Sequence, residues 1–191
     1  MKKLALITTF LSITAITPFA QATTGTINFT GQLTAATCEI KSGGGSPIIN
    51  IPLGSISVGD VKEVGATSLS ATGTTTIDVE CKGTTGFNTV AMKFDPAAGS
   101  GFASGNLDLL ALSPAATGSG ATNVGIGLLD ENNSLIKLGS GGTLDTALAT
   151  VGTTGDATAK ILVRAAYFKT TAAAPTPGEA NGTMAFTMSY K

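Results

Sequence analysis

The last fourteen residues, Gly178 to Lys191, read GEANGTMAFTMSYK. Met184, Phe186, Met188 and Tyr190 alternate with Ala185, Thr187, Ser189 and Lys191. A period of two marks a strand with one buried face. No turn and no further strand follow it in the sequence. An apolar strand of this kind is not expected at an open sheet edge, where unpaired backbone groups template aggregation. A second alternating stretch, Gly25, Ile27, Phe29, Gly31 and Leu33, comes before the first cysteine. One strand lacks a neighbour, and one strand is free to be given away. The expectation is a subunit completed by another chain.

Residues 1–22 are expected to be a secretory signal peptide. Met1-Lys2-Lys3 is a short basic start, Leu4 to Phe19 is mostly apolar, and Ala20-Gln21-Ala22 is a small-x-small cleavage site. The run is too short and too rich in Thr to span a bilayer well. The exported chain then starts at Thr23 and keeps roughly 170 residues, enough for one domain with a core. The whole chain has a formal net charge of −1, with 11 basic and 12 acidic residues. Losing Lys2 and Lys3 makes it more acidic, and Arg164 is the only arginine. No basic patch is available to neutralise phosphates, so nucleic acid is not an expected partner.

Cys38 and Cys81 are the only cysteines. In an exported chain they are expected to form a disulfide. A metal site is the competing reading. It lacks ligands, because the chain has no histidine and the cysteines show no close metal-ligand spacing. No metal and no cofactor are expected.

The chain after residue 22 reads as all-β. Short alternating or β-branched runs are separated by Gly, Pro, Asn, Asp and Ser clusters. Strands are predicted at Thr26–Leu33, Cys38–Lys41, Ile48–Pro52, Thr74–Cys81, Thr89–Phe94, Val124–Leu129, Leu135–Leu138, Lys160–Phe168 and Thr183–Tyr190. Loops are predicted at Lys41–Ser46, Pro96–Gly105, Ser113–Thr122 and Thr170–Gly178. Ser104–Ala111 is read as a place for a short helical turn. Strands at this spacing predict one sandwich domain, residues 23–191, with residues 23–34 as an extension ahead of it.

Candidate chemistry is sparse. General acid–base and nucleophilic catalysis call for His, paired carboxylates or an activated Cys. Asp130 and Glu131 are adjacent, which on a strand sends them to opposite faces. Asp78 and Glu80 share a face and read as a solvated edge near the disulfide. Gly139-Ser140-Gly141-Gly142 lacks a following Lys-Ser/Thr and reads as a turn, not a phosphate cradle. Asn28, Asn132 and Asn181 each open a glycosylation sequon, read as chance matches in a chain rich in Thr and Asn. No catalytic residue is assigned, and an enzyme is not expected.

Four features together resemble the chaperone–usher pilins, the subunits of type 1-like fimbriae. The alternating extension leads into Gly31-Gln32-Leu33 and then Cys38. Cys81 follows about forty residues later, in Val79-Glu80-Cys81. The stretch Leu109 to Gly139, with Ala121-Thr122-Asn123-Val124-Gly125-Ile126 at its centre, is similar to the family's middle segment. Gly178 stands fourteenth from the end, ahead of alternating apolar residues and a penultimate Tyr190. Arg164-Ala165-Ala166-Tyr167-Phe168 also resembles a family element.

The resemblance implies an incomplete immunoglobulin-like β-sandwich lacking its last strand and completed by donor-strand complementation. It implies a hydrophobic groove beside the C-terminal strand. A periplasmic pilus chaperone would fill this groove first. At the outer-membrane usher, the extension of a neighbouring copy or another pilin would then replace it. Gly25, Ile27, Phe29, Gly31 and Leu33 would form the donor strand. Gly178, Met184, Phe186, Met188 and Tyr190 would form the chaperone-facing acceptor strand. The implied role is a fimbrial shaft subunit, assembled on the cell surface after export through the periplasm and supporting adhesion. A minor adaptor subunit and a secreted carbohydrate-binding or adhesin module are the rival readings. The second has few aromatics and no Trp to stack on a sugar.

Overall fold

The structure is a computed structural model that describes residues 37–41, 48–66 and 73–191. The chain divides into two units, Met1–Leu33 and Thr34–Lys191, and all described residues belong to the second. The predicted signal peptide and the strand predicted at Thr26–Leu33 lie outside the described residues, as does most of the loop predicted at Lys41–Ser46.

Ten strands and three short 3-10 turns are present among the described residues. The strands are β1 (Thr37–Ile40), β2 (Gly73–Lys82), β3 (Thr89–Asp95), β4 (Phe102–Ala103) and β5 (Asn106–Leu110), then β6 (Val124–Leu129), β7 (Thr143–Ala147), β8 (Ala149–Val151), β9 (Asp156–Lys169) and β10 (Ala185–Tyr190). They form two antiparallel sheets. The larger has the order β1-β2-β9-β6-β5-β4, with β8 also pairing with β9; the smaller has the order β10-β3-β7.

The core follows from period two. On β2, Ile77, Val79 and Cys81 are buried while Thr76, Glu80 and Lys82 are exposed. On β9, Ala157, Ala159, Ile161, Val163 and Ala165 alternate inward. All of these but Ala157 meet Val90, Met92 and Phe94 of β3 and Ile126 and Leu128 of β6 in one cluster. Cys38 and Cys81 face each other across β1 and β2 and form the expected disulfide. Closing a loop of this size stabilises the fold by about 4 kcal/mol in the chain-entropy model. The outward face of β1, β2 and β9 carries ion pairs instead. Lys160 meets Asp78 at 2.7 Å and Lys41 meets Glu80 at 3.1 Å, on the solvated face expected for Asp78 and Glu80. Exposed pairs of this kind contribute roughly 0–1 kcal/mol.

A second, smaller cluster covers part of the other side of the large sheet, over β4, β5, β6 and the end of β9, and is made of Ala103, Leu109, Leu129, Ala166 and Phe168. It explains why every residue of β6 is buried and why Ala165 and Ala166 are both buried on β9. Gly127 makes this cover possible. A Cβ there would lie 2.6 Å from the Phe168 ring and 2.7 Å from Leu135 Cδ1.

Three sequence expectations are corrected. Ser104–Ala111 is not a helical turn. Asn106–Leu110 is strand β5, hairpinned to β4 through Gly105 at φ 90°, because Leu109 has an apolar sheet face to bury against. Leu135–Leu138 is not a strand. A single bridge joins Leu129 to Leu135, and Leu138 opens a 3-10 turn that ends at Gly141 with φ 71°. Asp130 and Glu131 are not strand neighbours. They lie in a turn just past β6, where Asp130 Oδ1 accepts from the Asn132 and Ser134 amides. Strands β7 and β8 were not expected: Leu144 is the only residue of either that is buried.

The alanine that Gly127→Ala introduces must push Phe168 or Leu135 aside, a change that costs about 1–3 kcal/mol. Urea unfolding should show a lower midpoint at an unchanged slope. Gly59→Ala, with only Ser57 Oγ nearby at 3.7 Å, should stay within about 0.5 kcal/mol of the parent.

Candidate functional site

Strand β10 pairs with β3 through all six of its residues, from Ala185 opposite Asp95 to Tyr190 opposite Val90. Among the described residues no strand pairs with its other edge. Ala185, Thr187 and Ser189 point to solvent. Phe186, Met188 and Tyr190 turn inward with Met184 and pack against the main core, yet they remain half-buried. Four large side chains at alternate positions are therefore held on the core and not covered.

A cleft of about 760 Å³ opens beside them. One wall runs from Ala180 to Met184 and on to Phe186; the other is Ile48 to Gly54. Ile77, Met92, Phe94, Leu110 and Val163 are among the floor residues, all from the main core. The second wall was predicted as a strand at Ile48–Pro52. It forms no ladder, although it keeps the alternation, with Ile49, Ile51 and Leu53 half-buried against the core and Asn50 and Pro52 exposed. Gly73 lets it lie close, since a Cβ there would sit 2.6 Å from the Pro52 carbonyl oxygen.

The cleft is thus an apolar trough between two strand-like walls. Its volume is that of a small-molecule pocket, but such pockets carry a few convergent polar groups over an apolar lining. Here the walls offer period-two apolar positions over roughly 20 Å of strand. The shape fits an extended chain with apolar side chains at alternate positions.

Each expected acceptor residue has a definite place. Met184 and Phe186 line the cleft; Met188 and Tyr190 continue the same face of β10 beyond it. The Tyr190 hydroxyl accepts from the Cys38 amide at 3.1 Å, and its ring lies 6.0 Å from that of Phe87. Gly178 lies outside the cleft lining. A Cβ on it would collide with the Ser119 carbonyl and come within 2.5 Å of Ala121 N. The expected donor residues Gly25, Ile27, Phe29, Gly31 and Leu33 lie outside the described residues. Sequence reasoning missed the second wall's role and also Tyr167, which lines the cleft and donates its hydroxyl to the Ala180 carbonyl at 2.8 Å. Burial raises the Tyr167 pKa above the ordinary phenol value. The isoleucines at 48, 49 and 51 were the available signal for that wall.

The approach to β10 is fastened to the loop at 113–122. Glu179 is the main fastener: its carboxylate accepts from Thr117 Oγ1 at 2.7 Å, Ala116 N at 2.9 Å and Thr117 N at 3.1 Å. The Thr117 hydroxyl, followed by the two amides, holds the Glu179 carboxyl below its ordinary pKa. A depressed carboxyl supports the fold above its unfolded value and loses that support as pH falls through the lower folded value. Glu179→Gln should therefore speed hydrogen exchange at Ala116 and Thr117 at neutral pH. The parent should reach that state only below the ordinary glutamate range, with β2 and β9 protection unchanged in both.

The sequence model of the family described as "Fimbrial protein" matches residues 27–191. The "Type-1 fimbrial protein subunit" of Serratia marcescens is 30% identical over the full length of both chains. The "Type-1 fimbrial protein, A chain" of Escherichia coli K12 is 34% identical over 95% of this chain and 93% of that one. A solved chaperone–usher pilus structure is similar at 19% identity, covering 92% of this chain and all of the other, with a TM-score of 0.47. The family model spans nearly all of the sequence after the predicted signal peptide, so the chain belongs to the fimbrial protein family.

Proposed function

We propose that this protein is the structural shaft subunit of a surface fimbria and that it polymerises by strand addition. The observation that carries the reading is the open edge of β10 beside an apolar trough with a second strand-like wall. A strand laid there gains backbone hydrogen bonds from an edge and register from the pockets between Met184, Phe186 and their opposite wall. Residues 23–34 supply a strand of matching period, with Ile27, Phe29 and Leu33 as the groove-filling side chains and Gly31 where the trough is shallow. Burying three such side chains is worth roughly 5–9 kcal/mol before ordering costs.

Each copy donates at one end and accepts along β10, so the contact is heterologous and does not close. Open filaments follow. Before assembly a periplasmic chaperone occupies the trough, and an outer-membrane usher is the place of exchange. Residues 1–22 direct export, and the assembled fimbria stands on the cell surface and supports adhesion. The role is structural and non-enzymatic. Membership of the fimbrial family and full-length similarity to type-1 fimbrial subunits support this reading.

The Phe29→Asp variant damages the donor and leaves the trough intact. Its fibre yield should fall more than about tenfold, while its one-to-one complex with a pilus chaperone is recovered at the parent level. Normal fibre yield would overturn the donor assignment.

A further inference from the structure

The chain has two tyrosines, and both hydroxyls bridge the open side of the sandwich. Tyr167 stands on β9 of the large sheet and donates to the Ala180 carbonyl, just ahead of β10, at 2.8 Å. Tyr190 stands on β10 of the small sheet and accepts from the Cys38 amide, on β1 of the large sheet, at 3.1 Å. The acceptor wall, made of β10 and the segment from Ala180 that leads into it, is thus tied to the opposite sheet at both ends. Its own ladder ties it only to β3, within its own sheet.

Both anchor points are firm. Cys38 is bonded to Cys81 on β2, and Tyr167 lies on the longest strand, paired there with Ile126 of β6. The Tyr190 ring also rests against Phe87. Between the two ties lies the trough. An empty apolar trough gains by closing on itself, because closure removes apolar surface from water. Resisting that closure takes a directional contact across the two sheets. These two hydroxyl bonds are such contacts, and Tyr167 lines the trough while making one of them.

We propose that Tyr167 and Tyr190 are positioning residues whose hydroxyls form a two-ended clasp. The clasp holds the acceptor wall at its receptive spacing from the large sheet before a strand arrives. The proposal rests on the strand-addition reading above. A pre-set wall leaves less to order on binding, so the clasp raises the rate of strand capture.

The test uses the full chain, freshly released from its one-to-one complex with a pilus chaperone so that the trough is empty, and an excess of a synthetic peptide of residues 23–34 as the probe. The parent, Tyr167→Phe and Tyr190→Phe are compared by the rate of peptide capture. Each phenylalanine keeps the ring and removes one tie, and each should slow capture roughly fivefold. Hydrogen exchange should quicken at 180–184 in Tyr167→Phe and at Cys38 in Tyr190→Phe, with β2 and β9 protection otherwise kept. A residue that only stabilises the fold would lower protection throughout and is ruled in by that pattern. Parent-like capture in both variants overturns the clasp while leaving strand addition standing. A parent that captures no peptide overturns strand addition, and the clasp with it. If Tyr190→Phe cannot be recovered, the rate and exchange pattern of Tyr167→Phe decide the question alone.

Discussion

An edge strand that is half paired sets the terms for the rest of this molecule. Strand β10 satisfies one side of its backbone on β3 and presents the other beside an apolar trough. Long apolar edges are normally blunted by charge, proline or a covering segment. On β10 the outward residues are Ala185, Thr187 and Ser189, which blunt nothing. An exposed edge of this kind is an aggregation hazard unless something is built to cover it. The same hydrogen-bonding capacity that would template misassembly becomes the attachment when the covering strand is specified in sequence.

The remainder of the fold keeps that edge available. Part of the large sheet's far side is closed off by the second cluster around Phe168, which lets β6, and β9 around Ala166 and Phe168, be buried on both faces. The disulfide fixes β1 on β2, and the ladder between β2 and β9 runs over nine residue pairs from Gly73 to Cys81. A rigid floor results. Upon it, the approach to β10 is fastened by Glu179 and by the exchange of bonds between Ser100 and Thr183. Order is concentrated around the trough, so an arriving strand has little left to organise.

Much of this was legible in the residues. Strands β2, β3, β6, β9 and β10 carry enough large apolar residues at period two, or in a continuous apolar run, to declare themselves. The disulfide was legible from two cysteines in a chain whose first residues read as an export signal. The inward apolar face of Met184, Phe186, Met188 and Tyr190 was legible for the same periodic reason. What stayed hidden depends on partners far away in sequence. Residues 49–53 have strand periodicity, but among the described residues no strand pairs with them, so they form a wall and not a strand. Strand β5 was masked by a Gly-Asn-Leu-Asp stretch whose meaning appears only against Ala166 and Phe168 of the second cluster. The role of Tyr167 rests on a bond to Ala180, and no local pattern announces it.

The central claim is that this sandwich is one strand short and that another chain supplies the strand. The most direct test is the mass of the exported chain on a non-reducing, unheated gel, after periplasmic expression with and without a pilus chaperone. The account predicts a one-to-one complex with the chaperone. Without it, the account predicts a ladder of subunit multiples that collapses to monomer only on heating. A single monomer band under both conditions, with no bound chaperone, would contradict it.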